Sequence, residues 1–158
     1  MKGYPDGTFK PGKGVTRRAE FAVMLANAQQ TKVEVSSSPI FSDDIPLWAA
    51  TAVEAVVREH WMTGYPDGTF RPNALITREE MAAVIIRSIN LVKPNTGITD
   101  YADHEQISAW ARSYIATAAK AGLMRGKENH RFAPKEMTTR AEAVSVIIAT
   151  LRKSLANE

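Results

Sequence analysis

Gly3-Tyr4-Pro5-Asp6-Gly7-Thr8-Phe9-Lys10-Pro11 recurs as Gly64-Tyr65-Pro66-Asp67-Gly68-Thr69-Phe70-Arg71-Pro72, with only Lys10/Arg71 exchanged. A degenerate copy, Gly126-Lys127-Glu128-Asn129-His130-Arg131-Phe132-Ala133-Pro134, keeps the Gly, the Phe and the Pro. Recurrence of a whole turn-containing segment is the mark of a repeat architecture, and it decides how everything else is read. Working outward, each copy is followed by a Thr-Arg element: Thr16-Arg17-Arg18-Ala19-Glu20, Thr77-Arg78-Glu79-Glu80 and Thr139-Arg140-Ala141-Glu142. Copy one has one extra residue before its Glu. Its arginine is therefore Arg18 counted from the Glu, or Arg17 counted from the Thr.

A second unit precedes copies two and three. Phe41-Ser42-Asp43 leads to Trp48-Ala49, and Ile98-Thr99-Asp100 leads through a longer spacer to Trp110-Ala111. Copy one shows no such unit. Met1 aligns with Met62 and Met124, so the expectation is a chain that begins inside a repeat, with Met1 an internal methionine or the edge of a fragment. The repeats divide as 1–32 (partial), 33–92 and 93–158, joined by polar linkers at 31–39 and 91–97 into one compact unit.

Apolar residues at 48, 49, 52, 53, 56 and 57 form a helical stripe, repeated by Trp110, Ala111, Tyr114, Ile115, Ala118 and Ala119. Gly64 and Gly122 punctuate the chain after these stripes. Tyr-Pro-Asp-Gly is a turn signal, because Pro presets φ, Asp bonds its own backbone and Gly accepts a left-handed conformation. Thr77 with Glu80, and Thr139 with Glu142, have the spacing of capping boxes. Second helices follow, with stripes Met81, Val84, Ile85, Ile89 and Val144, Ile147, Ile148, Leu151, while copy one supplies Phe21, Val23, Met24 and Leu25. Each full repeat reads as helix, glycine-rich loop, helix. One such pair cannot bury its stripe alone, so the repeats are expected to pack on one another in an all-α fold.

Composition excludes several classes. Lys and Arg total 20 against 17 Asp and Glu, a net +3, too small an excess to imply nucleic-acid binding. The absence of Cys removes disulfides, thiol nucleophiles and thiolate metal sites. No apolar run reaches the 18 or so residues of a membrane span, and Met-Lys-Gly-Tyr-Pro-Asp has no signal-peptide core. His60, His104 and His130 lack ligand spacing, and Pro-Asp-Gly-Thr lacks the alternating acids of an EF-hand, so no metal and no cofactor is expected. No nucleophile–base grouping or phosphate loop stands out, which argues against an enzyme.

The ordered set Phe-x-Asp…Trp-Ala, Gly-Tyr-Pro-Asp-Gly-Thr-Phe-(Arg/Lys)-Pro and Thr-Arg-(Ala/Glu)-Glu resembles the S-layer homology domain family over nearly the whole chain. The resemblance implies three tandem repeats forming a pseudo-threefold, helix-rich spindle. It further implies inter-repeat grooves that bind secondary cell-wall polymers, often carrying ketal-linked pyruvate, and so anchor proteins noncovalently to the bacterial cell surface.

Against that background the arginines Arg18, Arg78 and Arg140 are the first candidates. A guanidinium is a planar fork that matches a carboxylate, and helix N-terminal amides would add partial positive charge. The competing reading is that they pair with nearby Asp or Glu. Tyr4 and Tyr65 could stack on sugar faces or pack over the turn. Gly3, Gly64 and Gly126 would let backbone approach a neighbour or a ligand. Asp6 and Asp67 brace turns, and Asp43 and Asp100 cap the Trp helices or the turns before them. Trp48 and Trp110 open amphipathic stripes, which favours core packing, with groove lining at an exposed edge. Copy three, with Lys-Glu-Asn-His for Tyr-Pro-Asp-Gly, predicts a weak or silent groove. The alternative to a glycan-binding module is a structural or oligomerisation module of a larger surface protein, completed by a helix from another chain.

Overall fold

The computed structural model describes residues 16–31, 33–34, 36–91 and 97–156. Gly3, Tyr4 and Asp6 lie outside them. The described residues form α1 (Arg18–Ala28), α2 (Leu47–Arg58), α3 (Arg78–Ser88), α4 (Arg112–Lys120) and α5 (Arg140–Ala156), with short 3-10 turns at His104–Gln106, Ala109–Ala111 and Glu128–His130. Among them only isolated β-bridges occur and no strand, so the fold is all-α.

The helices do not pair as the chain order suggests. α1 packs on α2 and α3 packs on α4, while α2 and α3, joined by one glycine loop, do not touch. The first two Thr-Arg helices thus bury their stripes against the Trp helix of the next repeat, while α5 packs on α1 and α3. Phe21 and Leu25 of α1 share one core with Val53 and Val56 of α2, and Met81, Ile85 and Ile86 of α3 share it with Ile115 of α4. Phe70 and Phe132, the loop phenylalanines, are fully buried. Burying each such side chain is worth roughly 1.5–3 kcal/mol. On α5, Ala143, Val146 and Ile147 face this core, whereas Ile148 stands 42% exposed, off the stripe.

A backbone ring ties the repeats together. The residue two before each Thr-Arg helix takes part: Thr16 N donates to Thr138 O (2.8 Å), Thr138 N to Ile76 O (3.0 Å), and Ile76 N to Thr16 O (3.0 Å). The ring closes on itself, each member giving one bond and accepting one. Next along, the opening amides of α1 and α3 are also taken. Arg18 N donates to Ala74 O and Arg78 N to Glu136 O, both at 2.9 Å. These helix N-termini are therefore satisfied by the following repeat, which removes the free anion-binding amides that the sequence suggested.

Four helices end alike. Gln30, His60, Asn90 and Gly122 adopt positive φ (52°, 58°, 50° and 70°). The next amide then reaches back five residues, for example Trp61 N to Val56 O at 2.9 Å and Leu123 N to Ala118 O at 2.9 Å. This is the Schellman closure. Gly122 terminates α4 as its residue type predicts, but His60, not Gly64, terminates α2.

Candidate functional site

The two described glycine loops, 64–72 and 126–134, are held by the same three devices. First, a carboxylate clamps the loop's end. Asp43 Oδ1 accepts from Phe70 N (2.9 Å) and Oδ2 from Arg71 N (2.8 Å). In the next repeat Asp103, not Asp100, accepts from Phe132 N and Ala133 N, both at 2.8 Å. Second, an aromatic ring covers the glycine. A Cβ on Gly64 would meet Phe41 Cε1 at 2.4 Å, and one on Gly126 would meet Tyr101 Cε1 at 2.7 Å. The close neighbour that these glycines admit is thus a side chain of their own repeat. Third, an arginine from the preceding repeat grips two loop carbonyls. Arg18 Nε donates to Phe70 O (2.9 Å) and Nη2 to Thr63 O (2.7 Å). Arg78 Nε donates to Phe132 O and Nη2 to Arg125 O, both at 2.7 Å.

Two corrections follow. The structural partner of Phe41-Ser42-Asp43 is Tyr101-Ala102-Asp103, so aligning it with Ile98-Thr99-Asp100 is three residues out of register. Ile98 resembles Phe41 in being apolar, and the Tyr in the true unit disguised it. Asp100 instead stands exposed, 3.3 Å from His130 Nε2. Nor does Asp43 cap α2, whose N-cap position is Pro46. In copy one the Glu register holds, because Arg18 makes the two bonds that Arg78 makes. Arg17 occupies the position of Thr77, and its amide reaches Glu20 at 3.4 Å.

Around Arg18 the chain forms a cleft of about 330 Å³, lined by Arg18, Met62, Thr63, Gly64, Tyr65, Glu80, Ala83, Val84, Arg87 and Trp110. Arg18, Gly64, Tyr65 and Trp110, far apart in sequence, meet here. Arg18 lies 4.9 Å from the Tyr65 ring centroid and 4.7 Å from that of Phe70. Burial pushes its guanidinium below the ordinary value, against the pull of Tyr65 and Glu80. With two nitrogens on carbonyls, its Nη1 meets no carboxylate among the described residues. Glu80 is held elsewhere: Thr77 N donates to Glu80 Oε2 (3.0 Å), and Glu80 N donates back to Thr77 Oγ1 (3.3 Å). A second guanidinium, Arg87, enters from α3 with its Nε on Tyr114 Oη at 3.1 Å. It lies seven residues past Glu80 on the same helix face, a signal present in the sequence but absent from the repeat, where Ala149 takes its place.

An equivalent cleft of about 480 Å³ surrounds Arg78, with Met124, Arg125, Gly126, Lys127, Glu142, Ser145, Val146 and Ala149 among its walls. Here Arg78 Nη1 forms an ion pair with Glu142. The Thr139 cap is kept, with Glu142 N donating to Thr139 Oγ1 at 3.1 Å. Burial pushes Arg78 below the ordinary arginine value, with Glu136 and Tyr101 opposing. Arg140 opens α5. The tryptophans themselves are not core residues, since Trp48 is 61% and Trp110 51% exposed. The buried stripes run through Ala49, Val53 and Val56, and through Ala111, Ile115 and Ala118. Each Trp precedes its stripe by one residue, about 100° around the helix. At the turn tip Asp67 Oδ1 accepts from Thr69 N (3.0 Å) and Thr69 Oγ1 (2.6 Å), and Arg71 stacks over Tyr65 at 3.8 Å.

A cleft with a partly free guanidinium, a second arginine and two aromatic rings can hold a carboxylate on an apolar-faced ring such as a sugar. The S-layer homology domain pattern matches residues 1–22, 40–82 and 100–144, so this chain belongs to the S-layer homology domain family. Over 98% of its length it is 39% identical to an amylopullulanase of Thermoanaerobacterium thermosulfurigenes, covering 8% of that protein. It is 36% identical over 99% of its length to a cellulosome-anchoring protein of Acetivibrio thermocellus, covering 36% of it. An S-layer protein of Bacillus thuringiensis subsp. finitimus is 31% identical over 95% of the chain, which spans 18% of that protein. No helix among the described residues is long and apolar enough to cross a membrane.

Proposed function

We propose that this chain is a noncatalytic anchoring module that fastens a larger protein to the bacterial cell surface by binding pyruvylated secondary cell-wall polysaccharide. The observation that carries this reading is the Arg18 cleft. Arg18 comes from the first repeat, Gly64, Tyr65, Glu80 and Arg87 from the second, and Trp110 from the third. The segments 1–32, 33–92 and 93–158 therefore act as one binding unit, since no segment holds a whole cleft. Membership of the family and similarity to proteins named for anchoring and for the S-layer support the same assignment. Similarity to an amylopullulanase transfers no activity, because the shared part is a small fraction of that enzyme.

In this reading the pyruvate carboxylate meets Arg18 Nη1 and Arg87, while Trp110 and Tyr65 flank the sugar. A charge-assisted contact of this kind contributes about 1.5–3 kcal/mol. The test is a pull-down on purified wall polymer with and without its pyruvate. Arg18→Lys keeps the charge and loses the fork, and is expected to weaken retention about tenfold or more. Trp110→Ala is expected to weaken it by a smaller factor, and depyruvylated polymer to be released. Equal retention of folded Arg18→Lys and wild-type protein, or indifference to pyruvate, would reject the assignment.

A further inference from the structure

The Arg78 cleft already contains an anion. Glu80 and Glu142 occupy the same position, three residues after the Thr of their Thr-Arg element, yet they point differently. Glu80 accepts from the Thr77 amide at 3.0 Å. Glu142 sends its carboxylate across the cleft to Arg78 Nη1. Arg78 Nε and Nη2 are committed to Phe132 O and Arg125 O. All three nitrogens of that guanidinium are therefore engaged, and its side chain is only 4% exposed. The other cations at this cleft do not restore the site. Lys127 is paired with Glu136, and Arg125 is exposed at the rim. At Arg18 the matching nitrogen has no carboxylate among the described residues.

We propose that Glu142 is a tethered occupant of the Arg78 site, a carboxylate of the chain itself seated where a ligand's carboxylate would bind. It makes the Arg18 cleft the principal anionic-saccharide site of the two. Two carboxylates cannot share one Nη1 without strong like-charge repulsion, so an incoming acid must first displace Glu142. This rests on the reading of the Arg18 cleft as a carboxylate site. It adds the residue that sets the difference between clefts.

The experiment is calorimetric titration of the chain with a methyl 4,6-O-(1-carboxyethylidene)-hexopyranoside, alongside side-chain NMR of Arg78. Wild type is expected to show one strong site, with the second at least about tenfold weaker, and Glu142→Gln to bring the second within a few-fold of the first. Two equal sites in wild type, or an unchanged second site in Glu142→Gln, would overturn the proposal. The NMR readout is independent of saccharide and of the variant's folding. Nη2 is held by Arg125 O in either case, so Nη1 decides: distinct, exchange-protected Nη1 protons on Arg78 in the wild type support the tether, and averaged, freely exchanging Nη1 protons overturn it. If neither protein binds the ketal, the glycan reading fails, and the Arg78 signals alone decide whether Glu142 fills the site.

Discussion

The loops at 64–72 and 126–134 have the same base and different tips. At the base, Asp43 and Asp103 accept two successive amides each, Arg18 and Arg78 hold two carbonyls each, and Phe41 and Tyr101 cover the glycines. Arg71 and Ala133 share a left-handed φ of 58° and 57°, although neither is glycine. That conformation costs on the order of 1–2 kcal/mol, and the carboxylate clamp on the residue's own amide holds it there. At the tips the likeness ends. The first closes by a turn, with Gly68 N on Tyr65 O at 3.0 Å, and Gly68 takes φ 82°. The second forms a short 3-10 turn in which Asn129 and His130 both take positive φ. Contacts from distant parts of the chain dictate the base, an arginine of the preceding repeat among them, and local residues dictate the tip. The tip can therefore vary without disturbing the fold.

The base is where the largest effects are expected. Asp103→Ala strands two buried amide donors and should cost about 3 kcal/mol in urea unfolding, since leaving buried donors unpaired costs roughly 1–3 kcal/mol each. Asp43→Ala should cost less, because Asp103 is 6% exposed while Asp43 is half-buried and Arg71 is at the surface. A negligible loss at both would break the idea that the clamps hold the loops. Gly64→Ala should destabilise by about 1–3 kcal/mol, the usual range for overpacking, since its Cβ would press on Phe41. Gly126→Ala should follow with a slightly smaller loss. If both are tolerated, the rings move aside and the glycines serve something else.

Smaller effects sharpen the contrast. Thr77→Ala removes an acceptor from the start of α3 and should cost about 1 kcal/mol. Thr139→Ala should match it in stability, so a difference between them would show that Glu142's turn toward Arg78 alters the cap. The last test concerns the tips alone. Hydrogen bonds from the Thr69 hydroxyl and amide and from Arg71 hold the Asp67 carboxyl down to about 2. Its unfolded value is near 3.9, so its stabilising contribution is present above that and lost as pH falls toward 2. An NMR titration should find the Asp67 midpoint near 2, with Thr69 amide shifts following it. A midpoint near 4 would mean the turn is not braced. At the other tip the matching position is Asn129, which has no carboxyl for a neighbour to brace.

Much of the architecture was legible from residue order. The recurrence of Gly-Tyr-Pro-Asp-Gly, the Thr77–Glu80 spacing and the stripes through Val53 and Met81 predict the helices, the loops and the family. These signals are local: turn chemistry, capping and periodicity act within a few residues, and one chain carries them openly. Other features depend on where distant segments land. Asp103 was hidden behind a plausible decoy at Asp100, because only the amides of Phe132 and Ala133, brought near by folding, distinguish the two. That α1 packs on α2 across a repeat boundary, and that α2 and α3 do not touch, is a choice among stripes that look equally apolar in sequence. Trp48 and Trp110 looked like core because an aromatic at a helix start is read by type, whereas its angular offset from the buried stripe decides exposure. Sequence alone established the class of protein and the arginines worth watching. Tertiary structure decided that Arg18 keeps a nitrogen facing its cleft while Arg78 is paired with Glu142, since ion pairing depends on which carboxylate packing brings within reach.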